Sequence, residues 1–388
     1  MLQIAQEQDI EHQLQLNELD SYHTVSEKIS YIHSSIRQRF PLVERLSIAK
    51  YDKKTDTLRT YVGSLKGENP LTLYEAKLSD VPSLQRLAQT RETRIVNNLE
   101  VFSNSTSTHS KRITGKGFRS SYTIPLFSDG EFIGMLFFNS YQSGAFDDTN
   151  LTYLDMVAHL LTMLVASDIN QIATLLGAMK TATQFTHHRD PETGMHLERM
   201  ARYSRLIAMK LGATHSINDE YADMILRHAP LHDVGKISIP DRILLKPGKL
   251  TDEEFTEMKT HTTQGRDIID SMLRNFHFKF DQDIEMIRNI VTYHHESMDG
   301  NGYPEGLKGK DIPLEARIVA VADVFDALTS ERPYKKAWSN EASFAELDRM
   351  SHFKLDPDCV AALRASLEQI LNIQAEFADT VEADFKQA

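Results

Sequence analysis

One cysteine, Cys359, stands in 388 residues. A lone thiol excludes a disulfide framework and a thiolate zinc site. Basic residues are outnumbered, 43 Lys and Arg against 55 Asp and Glu, for a formal net charge of -12. That balance argues against a nucleic-acid polymer or an anionic membrane as the main partner. A small anionic ligand remains compatible, because a local metal cluster overrides net charge. No run of about 18 apolar residues is apparent, and the opening stretch MLQIAQEQDIEHQLQLNELD is polar and acidic, without a secretory apolar core. The expectation is a cytoplasmic protein with no membrane partner. Its length predicts two or three domains, each large enough for its own core.

Apolar residues at Leu14, Leu16, Leu19, Val25, Ile29, Ile32 and Ile36 recur at helical spacing. Strand-like runs follow at 46–51, 58–62, 94–96, 120–126 and 132–140, the last two separated by the turn signal Ser128-Asp129-Gly130. A helix from about Asp147 to Val165 closes the unit. This order, and the stretch GFRSSYTIPLFSDGEFIGMLFFNS followed by FDDTNLTYLDMVAHLL, resembles a GAF sensory domain. The resemblance implies an α+β domain, a central antiparallel sheet with flanking helices, over residues 1–167. No cysteine or histidine is placed to hold a haem, a bilin or an iron cluster, and His109 reads as a loop residue. A small regulatory ligand is unassigned, and a structural or dimerising role is an equal reading.

A linker helix is expected over 168–188. The apolar positions Leu154, Leu161, Val165, Ile169, Ile172, Leu176 and Met179 run along a helix of about 147–188 that includes it, and two successive steps of four make a stutter in the heptad pattern. Because this helix leaves one domain and enters the next, the expectation is a parallel homodimer through the GAF and linker helices. Rotation or register change could then pass from sensor to effector.

Chemistry concentrates in residues 189–388. Glu192 and His196 stand four apart, one above the other on a helix. His232-Asp233-Val234-Gly235-Lys236 follows a segment whose apolar Tyr221, Ile225 and Leu226 predict a mostly buried helix. An imidazole and a carboxylate buried there need a partner, and a metal supplies one. His261 opens HTTQG, and alone it would read as structural. In His294-His295-Glu296-Ser297-Met298-Asp299-Gly300-Asn301-Gly302-Tyr303-Pro304, adjacent histidines diverge by about 100° on a helix. A helix end followed by a glycine-rich turn lets both serve neighbouring metals, with Tyr303 beside them. In VAVADVFDALTSERPYKKA, Asp323 and Asp326 are both ligand candidates by spacing, and Arg332, Tyr334 and Lys335 suit phosphate oxygens.

Taken in order, His232-Asp233, HTTQG, HHESMDGNGYP and VADVFDALTSERPYKKA resemble the HD-GYP phosphodiesterases of the HD superfamily. The resemblance implies an all-α helical bundle and hydrolysis of cyclic di-GMP to pGpG and/or GMP. It implies metal ligands at His196, His232, Asp233, His261, His294, His295 and Asp323, thereby choosing Asp323 over Asp326, with Glu192 where some members hold a third metal. It also implies substrate contacts at Lys236, Tyr303, Arg332 and Lys335. Two or three divalent first-row ions are expected, iron first and manganese as the alternative, since imidazole and carboxylate without thiolate suit such metals. The expected chemistry has Asp233 bridging two ions, a metal-bridging hydroxide as nucleophile, and Lys236 stabilising the phosphoryl charge. A preference for 3′,3′-cyclic GMP-AMP and a non-catalytic dinucleotide receptor are the competing readings. Trp338 and Phe344 are expected in the core, and the segment to about Ile373 as a closing helix.

Overall fold

The computed structural model describes residues 24–65, 75–102, 116–184, 194–215, 217–276, 282–331, 336–351 and 353–379, together with 19, 21 and 22. The chain divides into two compact units, 1–173 and 174–388.

The first long helix among the described residues of the first unit is α1 (Val25–Arg39), started by a reciprocal capping box between Thr24 and Glu27. Strands β1 (Arg45–Asp52), β2 (Thr57–Leu65) and β3 (Glu75–Lys77) follow, then α2 (Pro82–Thr90), β4 (Arg94–Val96), β5 (Ser120–Ser128), β6 (Glu131–Ser140) and the long α3 (Asp148–Gln184). The six strands form one antiparallel sheet in the order β3-β2-β1-β6-β5-β4. The β5–β6 turn takes the form its sequence predicts. Asp129 and Gly130 both have positive φ, 50° and 83°, the backbone that matches the twist of a tight hairpin. Period-two alternation sends Leu136 and Phe138 to one core, with Ile29 and Ile36 of α1 and Leu154, Leu161 and Val165 of α3. Met135 and Phe137 go to the other, with Leu84 and Leu87 of α2. The strands expected from alternation are all present, whereas β3 and α2 were not anticipated from the sequence.

Helix α3 qualifies two expectations. Its stretch Asp148–Asn170, with mean hydropathy 1.2, is long and apolar enough to cross a membrane by length and composition, although Asp148, Asn150, Asp155, His159, Asp168 and Asn170 interrupt its apolar residues. The physical reason is that α3 is apolar on two sides. The expected dimer stripe is, in its first part, core: Leu154, Leu161 and Val165 are buried and Ile169 packs against them. The apolar residues left exposed are instead Met156, Leu160 and Met163 (57, 55 and 59 % exposed). Two phenols strap this helix to the sheet, Tyr122 donating to Asp155 and Tyr61 to Asp168 (2.5 Å). The side chains of Ile172, Leu176 and Met179, and His109, lie outside the described residues.

The second unit is all helical in its described regular structure. It runs through α4 (Gly194–His215), α5 (Asp219–His228), α6 (Asp241–Leu244), α7 (Asp252–Lys259), α8 (His261–Phe276), α9 (Gln282–Tyr293), α10 (Leu314–Thr329), α11 (Asn340–Met350), α12 (Pro357–Arg364) and α13 (Leu367–Glu376). Helix α10 is apolar nearly all round and therefore central: Ile318, Val319, Val321, Ala322 and Phe325 are buried. Phe325 packs its ring against Tyr203 of α4 and Phe344 of α11, at 5.3 and 5.0 Å between centroids. Phe344 is in the core, as expected. Trp338 is not: it precedes the capped start of α11 at Ser339 and is 42 % exposed.

Candidate metal centre

The centre is assembled where α4, the turn after α5, the start of α8, the end of α9 and the middle of α10 meet. Leu231 and Val234 flank His232-Asp233 and are buried in one cluster with Ile269 and Leu273 of α8 and Ile284, Ile287 and Val291 of α9. Burial of each such side chain contributes roughly 1.5–3 kcal/mol. The apolar contacts therefore carry His261, at the first position of α8, and His294, just past the end of α9, to Asp233. Close backbone approach finishes the job. A Cβ at Gly235 would overlap the carbonyl oxygen of His261, so only glycine lets these segments touch.

Asp233 is the meeting point. Its Oδ1 faces His261 Nε2 at 3.2 Å and His294 Nε2 at 3.6 Å, while Oδ2 faces His232 Nε2 at 3.2 Å and Lys236 Nζ at 2.7 Å. Two groups of ligand-capable atoms result, each within 4.8 Å: Asp233, His261, His294 and His295, and beside them His196, His232 and Asp323. His232 and Asp233, adjacent in sequence and close in space, join the two groups. The ring of His295 lies 4.1 Å from that of His294, so the helix end does let neighbouring histidines converge.

The histidines are oriented from behind. Nδ1 of His232, His261 and His294 lies 3.1, 2.8 and 2.9 Å from the carbonyl oxygens of Ala229, Met258 and Ile290, whereas Nδ1 of His196 lies 2.8 Å from Asp326 Oδ2. Each ring thus spends Nδ1 on the protein and turns Nε2 inward. The Nε2 atoms of His261 and His294 and Oδ1 of Asp233 are buried and make no hydrogen bond. Buried polar atoms left in this way cost free energy unless something else satisfies them. Three lone-pair donors converging on one volume fit a divalent cation.

Electrostatics agrees. Burial lowers His294 and, more strongly, His295, keeping both neutral and able to ligate near neutral pH. Burial opposes ionisation of Asp233, but Lys236, His232 and His261 outweigh it and hold its carboxyl well below the usual carboxylate range. Burial, then the charges of Asp233 and Asp323, raise the phenol of Tyr303, which stays protonated and can donate.

Tyr303 is carried by the loop after α9, its ring 4.8 Å from that of His295. Glu296 holds this loop: its buried Oε1 accepts from the amides of Glu305 (2.8 Å) and Gly306 (3.0 Å). At Gly302 a Cβ would overlap the backbone of Glu296 and Ser297, so the loop folds back only with glycine there. Lys259 Nζ lies 5.5 Å from the Tyr303 ring. Of the residues expected from sequence, the structure brings together His196, His232, Asp233, Lys236, His261, His294, His295, Tyr303 and Asp323. Glu192, Arg332 and Lys335 lie outside the described residues. Sequence reasoning did not single out Glu296 or Arg199. Glu296 lies inside the recognised HHESMDGNGYP stretch, so its motif position was a signal, while Arg199 had none.

Residues 190–359 match the HD domain family and residues 54–165 the GAF domain family. The chain is 48 % identical over 186 residues to the cyclic di-GMP phosphodiesterase response regulator RpfG of Xanthomonas campestris pv. campestris, covering 47 % of this chain and 46 % of that protein. It is 40 % identical over 199 residues to a cyclic di-GMP phosphodiesterase of Thermotoga maritima, covering 51 % of each. It is 39 % identical over 191 residues to the 3′3′-cGAMP-specific phosphodiesterase 2 of Vibrio cholerae, covering 49 % of this chain and 34 % of that protein. The chain thus spans about half or less of the length of these relatives. It carries a GAF domain and an HD domain, and the HD domain implies divalent metal.

Proposed function

We propose that this chain, a GAF domain joined to an HD domain, is a metal-dependent phosphodiesterase that opens the ring of cyclic di-GMP, yielding pGpG and/or GMP under control of the GAF domain. The observation that carries this reading is Asp233, whose two oxygens face histidines of both ligand groups. The names of the relatives from Xanthomonas and Thermotoga support the substrate.

In this reading His261, His294, His295 and Asp233 would hold one ion, and His196, His232 and Asp323, beside Asp233, would hold a second. Glu192, four residues before His196 in sequence, would serve a third. The donor set of imidazoles and carboxylates supports iron, with manganese as the alternative. Divalent ions there would supply Lewis acidity and lower the pKa of water towards about 7. The remaining work falls to the protein. Lys236, 2.7 Å from Asp233, puts an ammonium beside the reacting phosphate and stabilises negative charge on its oxygens. Tyr303 donates from the wall of the site, and Arg332 and Lys335 hold the second phosphate.

The relative specific for 3′3′-cGAMP keeps that dinucleotide as the second reading, because it shares the phosphodiester ring and differs at one base. We further place the protein in the cytoplasm, as a homodimer whose GAF domain takes an unidentified small ligand. The exposed row of Met156, Leu160 and Met163 supports the dimer, since a second copy's same face would cover it. Leu160→Lys should then shift sedimentation from dimer to monomer.

The deciding measurement is turnover of cyclic di-GMP and 3′,3′-cyclic GMP-AMP in parallel by anaerobically purified full-length protein, with metals counted on the same sample and products separated. Cleavage of cyclic di-GMP is expected, with cyclic GMP-AMP slower. Fully metallated protein that cleaves neither would move the reading to a dinucleotide receptor.

A further inference from the structure

Spacing alone left Asp323 and Asp326 equivalent, yet the structure gives them different surroundings. Asp323 joins the ligand group with His196 and His232. Asp326 is fully buried behind it and touches His196 on the other nitrogen. We propose that Asp326 is a positioning residue that holds His196 with Nε2 aimed at the His232 and Asp323 group, and that Arg199 makes this hold depend on the C-terminal residues Phe377 and Asp379. The inference rests on the metal reading above.

A carboxylate can only accept, so at 2.8 Å His196 Nδ1 donates to Asp326 Oδ2, which leaves Nε2 as the nitrogen that can offer a lone pair to a metal. That Nε2 lies 3.8 Å from Asp323 Oδ1. His232, His261 and His294 use backbone carbonyls for the same purpose. A carboxylate acceptor makes the imidazole a more basic ligand than a carbonyl does, so the ligand group containing His196 is tuned differently from its neighbour.

Asp326 is itself clamped. Arg199, three residues after His196 on α4, donates from Nε to Oδ1 (2.7 Å) and from Nη2 to Oδ2 (3.1 Å), and Ser330 Oγ donates to Oδ2 (3.0 Å). The other end of the same guanidinium donates from Nη1 to Phe377 O (2.8 Å) and lies 3.1 Å from Asp379 Oδ2. Arg202 covers the Phe377 ring at 4.4 Å. One hydrogen-bonded chain therefore runs from the C-terminal residues through Arg199 and Asp326 to a ligand of the centre. A purely structural Arg199–Asp326 pair would leave metal affinity unchanged in any variant that folds.

The test titrates chelator-stripped full-length protein with Mn(II) and records ¹H–¹⁵N ring correlations of His196 in the metal-free chain. D326N should weaken one class of Mn(II) sites by about 10- to 100-fold, leave the other class unchanged, and scramble the Nδ1–H tautomer of His196. D379A should produce a smaller loss in the same class. If D326N fails to fold because Arg199 is left buried without its anion, the double variant R199M/D326L replaces the pair with apolar volume and should show the same one-class loss. Unchanged Mn(II) affinity with an unchanged tautomer in a folded variant would overturn the positioning role, and so would equal weakening of both classes. Failure of the wild type to take up Mn(II) and, under anaerobic conditions, Fe(II) would instead sink the metal reading, and the tautomer in the metal-free chain would still judge the hold of Asp326 on His196.

Discussion

Both units of this protein bury histidines, and they treat them in opposite ways. His33 in the sheet unit is 2 % exposed, with Nδ1 2.8 Å from Ser64 Oγ and Nε2 3.0 Å from Val43 O. Both nitrogens are used inside the protein. In the helical unit His261 and His294 are as deeply buried, yet each uses Nδ1 on a carbonyl and leaves Nε2 without a hydrogen bond. Burial alone therefore does not mark a ligand. The mark is one satisfied nitrogen and one remaining, with several of the remaining ones converging on a carboxylate.

The largest effect that can break this contrast is removal of the carboxylate at the convergence. Asp233→Ala should lose bound metal and turnover together, whereas His33→Ala should leave metal content at the wild-type value; elemental analysis of the two purified variants beside wild type decides. Retention of full metal content by Asp233→Ala would remove the basis for reading the centre this way. Next in size is Lys236→Ala, which should keep its metal and lose about 10²–10³-fold in kcat, the scale of one lost charge-stabilising donor. Parallel loss of metal would assign Lys236 a structural part instead.

A steric change separates the loop from the metal. Gly302→Ala forces a Cβ into the backbone of Glu296 and Ser297 and so displaces Tyr303. Metal content should hold while kcat/KM falls by about 10²-fold, as expected when a contact group is misplaced by about 1 Å. Wild-type kinetics would show that the loop accommodates the methyl and that Tyr303 is not held by this contact.

The smallest effect sharpens the other side of the contrast. Burial lowers His33 from 6.5 to about 4, the hydrogen bond to Val43 opposing it and the nearby Arg37 and Arg45 adding to it. Below pH 6.5 the unfolded chain takes up a proton that the folded one refuses. Stability is therefore complete above that value and is lost as pH falls towards 4, by about 3 kcal/mol in all. Hydrogen exchange of peptides from β1 and β2 should show this loss in the wild type and much less of it in His33→Gln, whose amide can still donate to Val43 O and accept from Ser64. An equal loss in the variant would assign the pH dependence to other groups.

How much was legible depended on how local the cause is. Strands β1, β2, β4, β5 and β6 are readable because alternation is local, and the β5–β6 turn because Asp129-Gly130 tolerates positive φ. β3, three residues paired only with β2, carries too little pattern to be seen. His33 carries no signal at all, since nothing in VSEKISYIHSSIRQR announces Ser64 or Val43. The α3 stripe misled for a related reason: Leu154, Leu161 and Val165 have the spacing of a helical seam, but spacing does not say whether the surface they meet is a partner's or the same chain's sheet.

The sequence by itself determined the donors and their order: His196, His232-Asp233, His261, His294-His295 and Asp323 were all named from type, spacing and resemblance. A helix end near His294-His295 and a glycine-rich turn also followed from local residue chemistry. Only the tertiary structure decided what each carboxylate faces. Asp323 and Asp326 sit three apart on one apolar helix, and helical periodicity treats them alike. What divides them is that α4 brings His196 between them, one nitrogen towards each, and sets Arg199 against Asp326 alone. A side chain's acid or base character is written locally, but its partner is whatever distant segment the packing of apolar faces delivers to it.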